Sequence, residues 1–142
     1  MSCIFCDIAK GKAKCFKLAE NKNALAFLDI SPLADGHTVI ISKKHYPNWQ
    51  DTPTDVLKDM ADLSKEVANI LEKKLKPWGF NYLSNQGDIA GQAVMHVHLH
   101  VIPKYYKGQG FKLGKGEIVT KEVEKVAKKL KIKKIWLFKI YR

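Results

Sequence analysis

Three histidines at alternate positions are the residues of this chain best suited to chemistry. They are His96, His98 and His100, in the run His-Val-His-Leu-His-Val-Ile. A β-strand turns successive side chains to opposite faces, so this spacing predicts three imidazoles on one face, with Val97 and Leu99 in a core. Imidazole exchanges protons near neutral pH, and its neutral form is a good nucleophile toward phosphorus. The pattern favours nucleophilic catalysis, and the alternative it leaves open is a pure metal site, since alternating histidines also chelate.

Cysteines form a second candidate group. Cys3 and Cys6 are separated by two residues, and Cys15 makes the count odd. A small cytosolic protein keeps its thiols reduced, so a disulfide framework is not expected. The Cys-x2-Cys spacing is the short bite of a tetrahedral metal site, which needs further ligands from elsewhere in the chain. Cys15 is interpreted as an incidental small residue.

The elements that must position these groups follow from periodicity and turn residues. Strands occur in succession without intervening helices, which indicates an α+β protein with an antiparallel sheet. Apolar residues at every third or fourth position predict one long amphipathic helix, and a second helix is predicted near the C-terminus. The predicted elements are a hairpin of 24–28 and 37–42, a helix over 53–76, paired strands at 80–84 and 94–102, a helix over 120–130, and a last segment, 132–142, that is a strand or a dimer contact.

Charge is concentrated in a lysine-rich C-terminal tail. The 142 residues fit a single domain over 1–142, with a formal charge of +11. Residues 1–103 hold 12 lysines and 11 acidic residues, whereas residues 104–142 hold 12 lysines, one arginine and 3 acidic residues. A single arginine argues against sequence-specific nucleic-acid readout and leaves nonspecific binding open. We expect 104–142 to pack on or beside the domain.

The compartment is predicted from what the sequence lacks. No apolar run approaches the roughly 20 residues of a membrane span, and the N-terminus has no basic region followed by an apolar one. We therefore expect a cytoplasmic protein without a membrane span.

The histidine run and several further motifs resemble the histidine triad (HIT) family, over residues 3–103. The family's signature is His-x-His-x-His followed by two apolar residues. The other matching stretches, in family order, are Cys3-Ile4-Phe5-Cys6-Asp7-Ile8, Ala26-Phe27-Leu28-Asp29-Ile30-Ser31-Pro32, Gly36-His37, Lys44-His45, Gly79-Phe80-Asn81, Asn85 and Gly91-Gln92. The resemblance implies a HIT-like α+β fold with about five antiparallel strands, one long helix and one C-terminal helix.

The resemblance also implies a covalent mechanism. His98 attacks the α-phosphate of a purine nucleotide conjugate, and water hydrolyses the resulting nucleotidyl-histidine. The other ring nitrogen of His98 donates to a backbone carbonyl, by analogy that of His96. His100 is placed to contact the phosphate or leaving group, and Gln92 and Asn85 to add polar contacts. Many relatives have Ser or Thr where this chain has Ala93, which leaves the leaving-group preference open.

A nucleoside site and a zinc site follow from the same resemblance. Asp29 would accept the ribose hydroxyls, and an apolar slot for the base would be formed by Ile4, Phe5, Ile8, Phe27 and Ile30. For each apolar residue the alternative is plain core packing, and His37 is interpreted as a buried member of the polar network. A structural Zn2+ would be closed by four ligands, Cys3, Cys6, His45 and His96, with ordinary thiols as the alternative.

Two functions from different classes are consistent with the sequence. The first is a nucleotidyl hydrolase or transferase acting on phosphoramidates, dinucleoside polyphosphates or adenylylated compounds. The second is a nucleotide-binding regulatory or scaffold protein whose basic tail docks an acidic partner, for which steep salt dependence of binding would be the signature. Action on an adenylylated nucleic-acid end is a third, disfavoured by the lack of a Cys/His cluster after residue 103. The resemblance implies a homodimer joined through the long helix and middle strands.

Overall fold

A five-stranded antiparallel sheet with helices is the architecture of the chain, as the sequence predicts. The computed structural model describes residues 2–112, 114, 116–117 and 122–133. The strands, in the sheet order β1-β2-β3-β5-β4, are β1 (Lys17–Glu20), β2 (Ala24–Leu28), β3 (Thr38–Ser42), β4 (Gly79–Leu83) and β5 (His98–Lys104). The helices are α1 (Ile4–Ala9), α2 (Thr54–Leu75) and α3 (Val123–Lys129), and a 3₁₀ turn covers Asp88–Ala90.

The predicted hairpin is present and places the histidine strand beside it. In the β2–β3 pair, Phe27 lies opposite Val39. In the β3–β5 pair, Val39 lies opposite His100 and Ile41 lies opposite His98. Residues directly opposite each other in antiparallel strands share a face, so the two histidines of β5 lie on the same side of the sheet as Phe27, Val39 and Ile41 of the hairpin.

The other side of the sheet is covered by α2, whose predicted apolar stripe is buried. Each fully buried aliphatic side chain contributes roughly 1.5–3 kcal/mol to the stability of the fold. This layer therefore fixes which face of β5 packs against α2 and which face carries the histidines. Because Val97, Leu99 and Val101 belong to this core, the intervening histidines must point the opposite way. The core comprises Val56, Met60, Leu63, Val67 and Leu71 of α2 with Ala24, Ala26, Ile40, Val97, Leu99 and Val101.

The histidine side of the sheet is covered in part by α1, which the sequence analysis did not predict. Phe5 and Ile8 of α1 pack against a buried cluster of the hairpin, formed by Leu25, Phe27, Val39 and Ile41. The helix has only 6 residues and no side-chain cap at its N-terminus. A helix of this length shows too little periodicity to be recognised, and it depends on tertiary packing for its stability. Strand β1 was also missed, since it has only 4 residues and a register irregularity.

The histidine strand begins later than predicted. The predicted strand over 94–102 is wrong at its start, because β5 begins at His98. The His96 N–H bonds to the Val94 carbonyl at 2.8 Å, and the Val97 N–H bonds to the Tyr46 carbonyl at 2.7 Å. His96 therefore lies in a turn before the strand, which places it apart from the other two histidines.

The turn before β3 requires a glycine at Gly36, because the backbone conformation and the close approach of α2 both disfavour a side chain there. Its φ is +87°, and a Cβ there would lie 2.8 Å from Leu75 Cδ1 and 3.0 Å from Leu71 Cδ2. We expect Gly36→Ala to lower the free energy of unfolding by about 2–4 kcal/mol, from the strained φ and the overpacking against α2 together. Urea unfolding followed by circular dichroism measures the change.

A matched control for this substitution is Gly11→Ala. Gly11 also has a positive φ, +72°, but no atom lies within 4 Å of its would-be Cβ. Its substitution should cost only the backbone strain, about 1–2 kcal/mol. Equal losses for the two variants would show that the contact of Gly36 with α2 has no energetic consequence.

Residues 1–112 and 113–142 form two compact units. In the second unit, α3 overlaps the helix predicted over 120–130. The longest described stretch of this unit is 122–133. The segment predicted as a strand or dimer contact over 132–142 lies outside the described residues, apart from its first two. A single domain with the tail packed on or beside it stays a prediction. No helix in the described ranges is long and apolar enough to cross a bilayer.

Candidate functional site

His98 is held with one ring nitrogen committed to the backbone. Its Nδ1 lies 2.7 Å from the carbonyl oxygen of His96, and the side chain is buried. A carbonyl only accepts, so Nδ1 carries the proton and donates it. The neutral ring therefore has its lone pair on Nε2. This is the state required of a nucleophile, and the carbonyl partner is the one that the resemblance implied.

His100 lies next to His98 on the same face of β5. The two ring centroids are 5.1 Å apart, and the rings are nearly perpendicular. Burial, with the neighbouring His98 and His37, lowers the pKa of His100 to about 4. At neutral pH the ring is uncharged, so it has one N–H to donate and one lone pair with which to accept.

His37 is the partner of His100 on the neighbouring strand. Its Nε2 lies 2.9 Å from Nδ1 of His100, and its Nδ1 accepts the backbone N–H of Leu33 at 3.1 Å. Oδ2 of Asp29 is 3.6 Å from Nε2 of the same ring. Burial lowers the pKa of His37, which keeps this fully enclosed ring neutral despite the nearby carboxylate.

The four predicted metal ligands converge at the turn before β5. Ligand atoms of Cys3, Cys6, His45 and His96 all lie within 4.8 Å of one another. From His96 Nδ1 the distances are 3.4 Å to Cys3 Sγ, 3.6 Å to Cys6 Sγ and 3.2 Å to His45 Nδ1, and Cys6 Sγ lies 3.3 Å from His45 Nδ1. A tetrahedral zinc ion, with bonds of about 2.0–2.3 Å to nitrogen and sulfur, has ligand atoms roughly 3.3–3.8 Å apart. The residues therefore fit a zinc ion.

The protonation of the cluster supports the same fit. His96 Nε2 donates to the carbonyl of Ser42 at 2.8 Å, which leaves the Nδ1 lone pair directed at the cluster. Burial lowers the pKa of His96 and so keeps the ring neutral. Burial and the adjacent Cys3 raise the pKa of the Cys6 thiol. These effects favour the neutral thiol of Cys6, and a bound metal is the kind of charge that would deprotonate it.

The predicted nucleoside site is only partly assembled. Phe5 lies between the ring of Phe27, at 5.9 Å, and that of His98, at 5.2 Å. Ile8 joins the same apolar cluster. By contrast, Ile4 is 51% exposed and Ile30 is 88% exposed, so these two are not packed into it.

Asp29 directly follows β2 and lies beside His37. Its Oδ1 accepts the backbone N–H of Ser31 at 2.8 Å, and its Oδ2 faces His37. The carboxylate is partly exposed and is therefore open to a ligand hydroxyl. A cavity of about 540 Å3 lies beside the start of α1, and Asp29 is not among its lining residues. The cavity is lined by Ser2, Cys3, Ile4, Asp7, His45, Ala93, Val94 and Met95.

Comparison with known proteins identifies the family. The HIT domain model matches residues 10–107, which is more than half of the chain. The chain belongs to the HIT family. A histidine triad nucleotide-binding protein from Candida albicans has a similar fold, with a TM-score of 0.82 and 38% identity, covering 92% of this chain and 95% of that one.

Two further HIT relatives are named for an activity or for a bound metal. An adenosine 5′-monophosphoramidase of Schizosaccharomyces pombe is 43% identical over 114 residues, which cover 80% of this chain and 83% of that protein. A zinc-bound histidine triad family protein from Mycobacterium smegmatis has a TM-score of 0.73 at 37% identity, covering 78% of this chain and 81% of that one. These names describe the relatives, and both bear on what is proposed below.

Gln92 and Asn85 of this HIT protein hold a loop beside the site. The Gln92 amide donates to the carbonyls of Pro47, at 2.6 Å, and Val94, at 3.0 Å, and accepts from the Gly87 N–H at 2.9 Å. Asn85 donates to the Gly91 carbonyl at 3.2 Å. Both amide hydrogens of Gln92 are used in these bonds, so a contact with substrate would require one of them to be exchanged. The polar contacts expected of Gln92 and Asn85 with substrate stay predictions.

The pairing of His37 with His100 is the feature that sequence reasoning did not foresee in this HIT chain. The two residues are 63 positions apart, and their contact follows from the register that sets Val39 opposite His100. A histidine directly before a buried strand is the one local signal. This signal predicts that the buried imidazole has a hydrogen-bond partner, but it does not identify that partner.

Proposed function

We propose that this HIT protein is a hydrolase that cleaves purine nucleotide conjugates at the α-phosphate through a nucleotidyl intermediate on His98. The observation that supports it most directly is the bond from His98 Nδ1 to the His96 carbonyl. That bond fixes the tautomer, so that the neutral form of His98 has its lone pair on Nε2, and the ring centroid of His100 is 5.1 Å away. The similar S. pombe protein, named for adenosine 5′-monophosphoramidase activity, supports the nucleotide part of the proposal.

The chemistry proceeds in two displacements. The Nε2–phosphorus bond of His98 forms as the bond from phosphorus to the leaving nitrogen or oxygen breaks, and water supplies a proton to the leaving atom. The remaining hydroxide attacks phosphorus as the Nε2–phosphorus bond breaks, which releases the nucleoside monophosphate and neutral His98. One water is consumed. The covalent intermediate divides one difficult displacement into two easier ones.

The neighbours of His98 stabilise charge during these steps. When Nε2 bonds to phosphorus, the imidazole becomes cationic, and the His96 carbonyl that accepts its Nδ1–H stabilises that charge. His100, neutral because burial lowers its pKa to about 4, acts as a hydrogen-bond donor to a phosphate oxygen or the leaving group. Phe5, Ile8 and Phe27 supply apolar surface for the base, and Asp29 accepts from the ribose.

A structural zinc ion is part of the proposal. Cys3, Cys6, His45 and His96 would hold it, and their four bonds would complete a tetrahedral sphere without a position for activating water. Held by these residues, Zn2+ would tie the start of α1 to the turn before β5. The zinc-bound M. smegmatis relative supports this assignment. His96 is then an anchor for the chain rather than a reacting group.

Homodimerisation and cytoplasmic location also remain proposals. Strand β4 is an edge of the described sheet, and it exposes Tyr82 to 50%, beside Trp78 at 89%. Apolar surface of this kind at a sheet edge suits a subunit contact. The alternative function, a scaffold that docks acidic partners, depends on residues 104–142, of which a substantial part lies outside the described ranges.

The experiment that tests the hydrolase combines product release with capture of the intermediate. Adenosine 5′-phosphoramidates, diadenosine polyphosphates and matched pyrimidine conjugates are assayed for nucleoside monophosphate, and acid-quenched single turnovers are analysed by peptide mass spectrometry. We expect adenosine monophosphate from at least one conjugate and a nucleotidyl adduct on the peptide containing His98. No turnover of any conjugate would contradict the hydrolase, and turnover without an adduct at any quench time would contradict the covalent route.

A further inference from the structure

A chain of hydrogen bonds runs from the backbone of the turn before β3 to the phosphate side of the site. The Leu33 N–H lies 3.1 Å from His37 Nδ1. A backbone N–H only donates, so Nδ1 of His37 must be unprotonated. Neutral His37 therefore has its proton on Nε2. The tautomer of this buried ring is thus set by the backbone.

The proton on His37 Nε2 has two acceptors within reach. His100 Nδ1 is at 2.9 Å, a normal hydrogen-bond length, and Asp29 Oδ2 is at 3.6 Å, beyond one. His37 therefore donates to His100 in this structure. Because His100 Nδ1 accepts, the proton of neutral His100 sits on Nε2. No partner for that N–H is found among the described residues, so it is available to a ligand.

We propose that His37 is a positioning residue that couples the ribose end of the site to the phosphate end: it sets the ring nitrogen of His100 that carries the proton, and Asp29 competes for the same His37 N–H. The coupling rests on the proposed function, in which Asp29 accepts from ribose and His100 donates toward phosphate. Without ligand, the Asp29 carboxylate attracts the His37 N–H. Ribose hydroxyls that donate to Asp29 reduce the attraction of its carboxylate for the His37 N–H and so strengthen the existing bond from His37 to His100.

A metal ion is a poorer explanation of the same three residues. Asp29, His37 and His100 do place three potential ligand atoms close together. A metal on His37 Nε2 would need a lone pair there, while Nδ1 already accepts the Leu33 N–H. The ring would then carry no proton and would be an anion. The 2.9 Å separation of the two ring nitrogens is that of an N–H···N hydrogen bond, which requires no such anion.

The coupling makes a distinct kinetic prediction. If ribose hydroxyls acted only as binding contacts, their removal would raise KM and leave kcat unchanged. If they also strengthen the bond from the His37 N–H to His100, their removal lowers kcat as well. A chain without that N–H should lose this second effect, and the hydroxyls should then influence KM alone.

The first test measures the ring tautomers directly. Long-range 1H–15N correlation spectra of 15N-histidine-labelled protein distinguish protonated from unprotonated ring nitrogens, and His37→Gln assigns the His37 signals by their loss. We expect His37 and His100 each to be protonated on Nε2 and unprotonated on Nδ1. A proton on Nδ1 of either ring would overturn the proposal. This result does not depend on turnover, so failure of the hydrolase assay and failure of the tautomer assignment are distinguishable.

The second test uses two substitutions and two substrates. His37→Phe keeps a ring without an N–H, whereas His37→Gln keeps an amide N–H that can donate to His100. We expect His37→Phe to lower kcat about 10- to 100-fold with less than about a threefold change in KM, and His37→Gln to stay within about tenfold of the native kcat. Equal losses of kcat in both variants would overturn the role of the N–H.

The substrates are adenosine and 2′,3′-dideoxyadenosine conjugates with the same leaving group. We expect the dideoxy conjugate to lower kcat of the native protein about tenfold and to leave kcat of His37→Phe unchanged. A dideoxy effect on KM alone in the native protein would overturn the coupling, and this outcome requires no variant to fold. The Tm of each variant is measured by thermal unfolding, and kcat is compared only at temperatures at which the variant is folded.

Discussion

Replacing His98 with alanine should lower kcat for release of nucleoside monophosphate by about four orders of magnitude or more. Removal of a nucleophile eliminates the covalent route itself, and losses of this size are typical of such substitutions. Nucleotide binding should persist, because the apolar surface of Phe5 and Phe27 and the carboxylate of Asp29 remain. The measurement is kcat under saturating adenosine phosphoramidate, with nucleotide affinity determined separately by titration.

His98→Asn keeps the variant test valid if the alanine substitution disturbs the fold. His98 is buried, so truncation to alanine leaves a small cavity, whereas an asparagine amide can still donate to the His96 carbonyl. Both variants should be equally inactive. His100→Ala is the comparison for His98→Ala: loss of one hydrogen-bond donor should reduce kcat by only about 100- to 1000-fold. A His98 variant within tenfold of the native kcat would exclude the proposed nucleophile.

Loss of zinc should produce the second large effect, on stability rather than on chemistry. Cys6→Ser should release the ion and lower the free energy of unfolding by several kcal/mol, with a Tm lower by on the order of 10 °C. The physical reason is that a bound metal would hold α1 against the turn containing His96, and its loss would leave the remaining ligands as close, unneutralised polar groups. Because α1 carries Phe5, KM for the nucleotide should rise as well.

Cys15→Ser is the matched control for the zinc prediction. Cys15 is a half-buried free cysteine outside the four-ligand cluster, packed beside the hairpin. It should keep one zinc per chain by elemental analysis and shift Tm by only a few degrees. Absence of zinc from native protein prepared in its presence, or equal Tm values for the Cys6 and Cys15 variants, would contradict the assignment.

Local pattern was sufficient for α2 and for the core-facing side of the histidine strand. The period-two alternation over Val97, Leu99 and Val101 places these residues in the α2 core, and the helical stripe of α2 is buried as predicted. Both patterns follow from backbone geometry within a single element, so no distant contact is needed to recognise them. The start of β5 could not be predicted from alternation, because the Val97 N–H bonds to the carbonyl of Tyr46, which belongs to no strand.

The short elements required the tertiary structure. Helix α1 has 6 residues and no side-chain cap, and it is held by packing of Phe5 and Ile8 on the hairpin. A helix this short is not stable by its own propensity, so the local sequence carries little sign of it. The Cys-x2-Cys spacing did indicate a metal site, but spacing alone does not say where the other ligands lie.

By itself, therefore, the sequence determined the residue types of the site: a row of imidazoles whose spacing gives them one face, and a cysteine pair suited to a metal. Tertiary structure decided how these groups differ. Strand register brings His37 to His100 across 63 positions, and the Leu33 N–H then dictates the tautomers. The turn before β5 turns His96 toward the cysteines. Spacing is a property of a few neighbouring residues, whereas proton positions depend on hydrogen-bond partners that only the folded chain assembles.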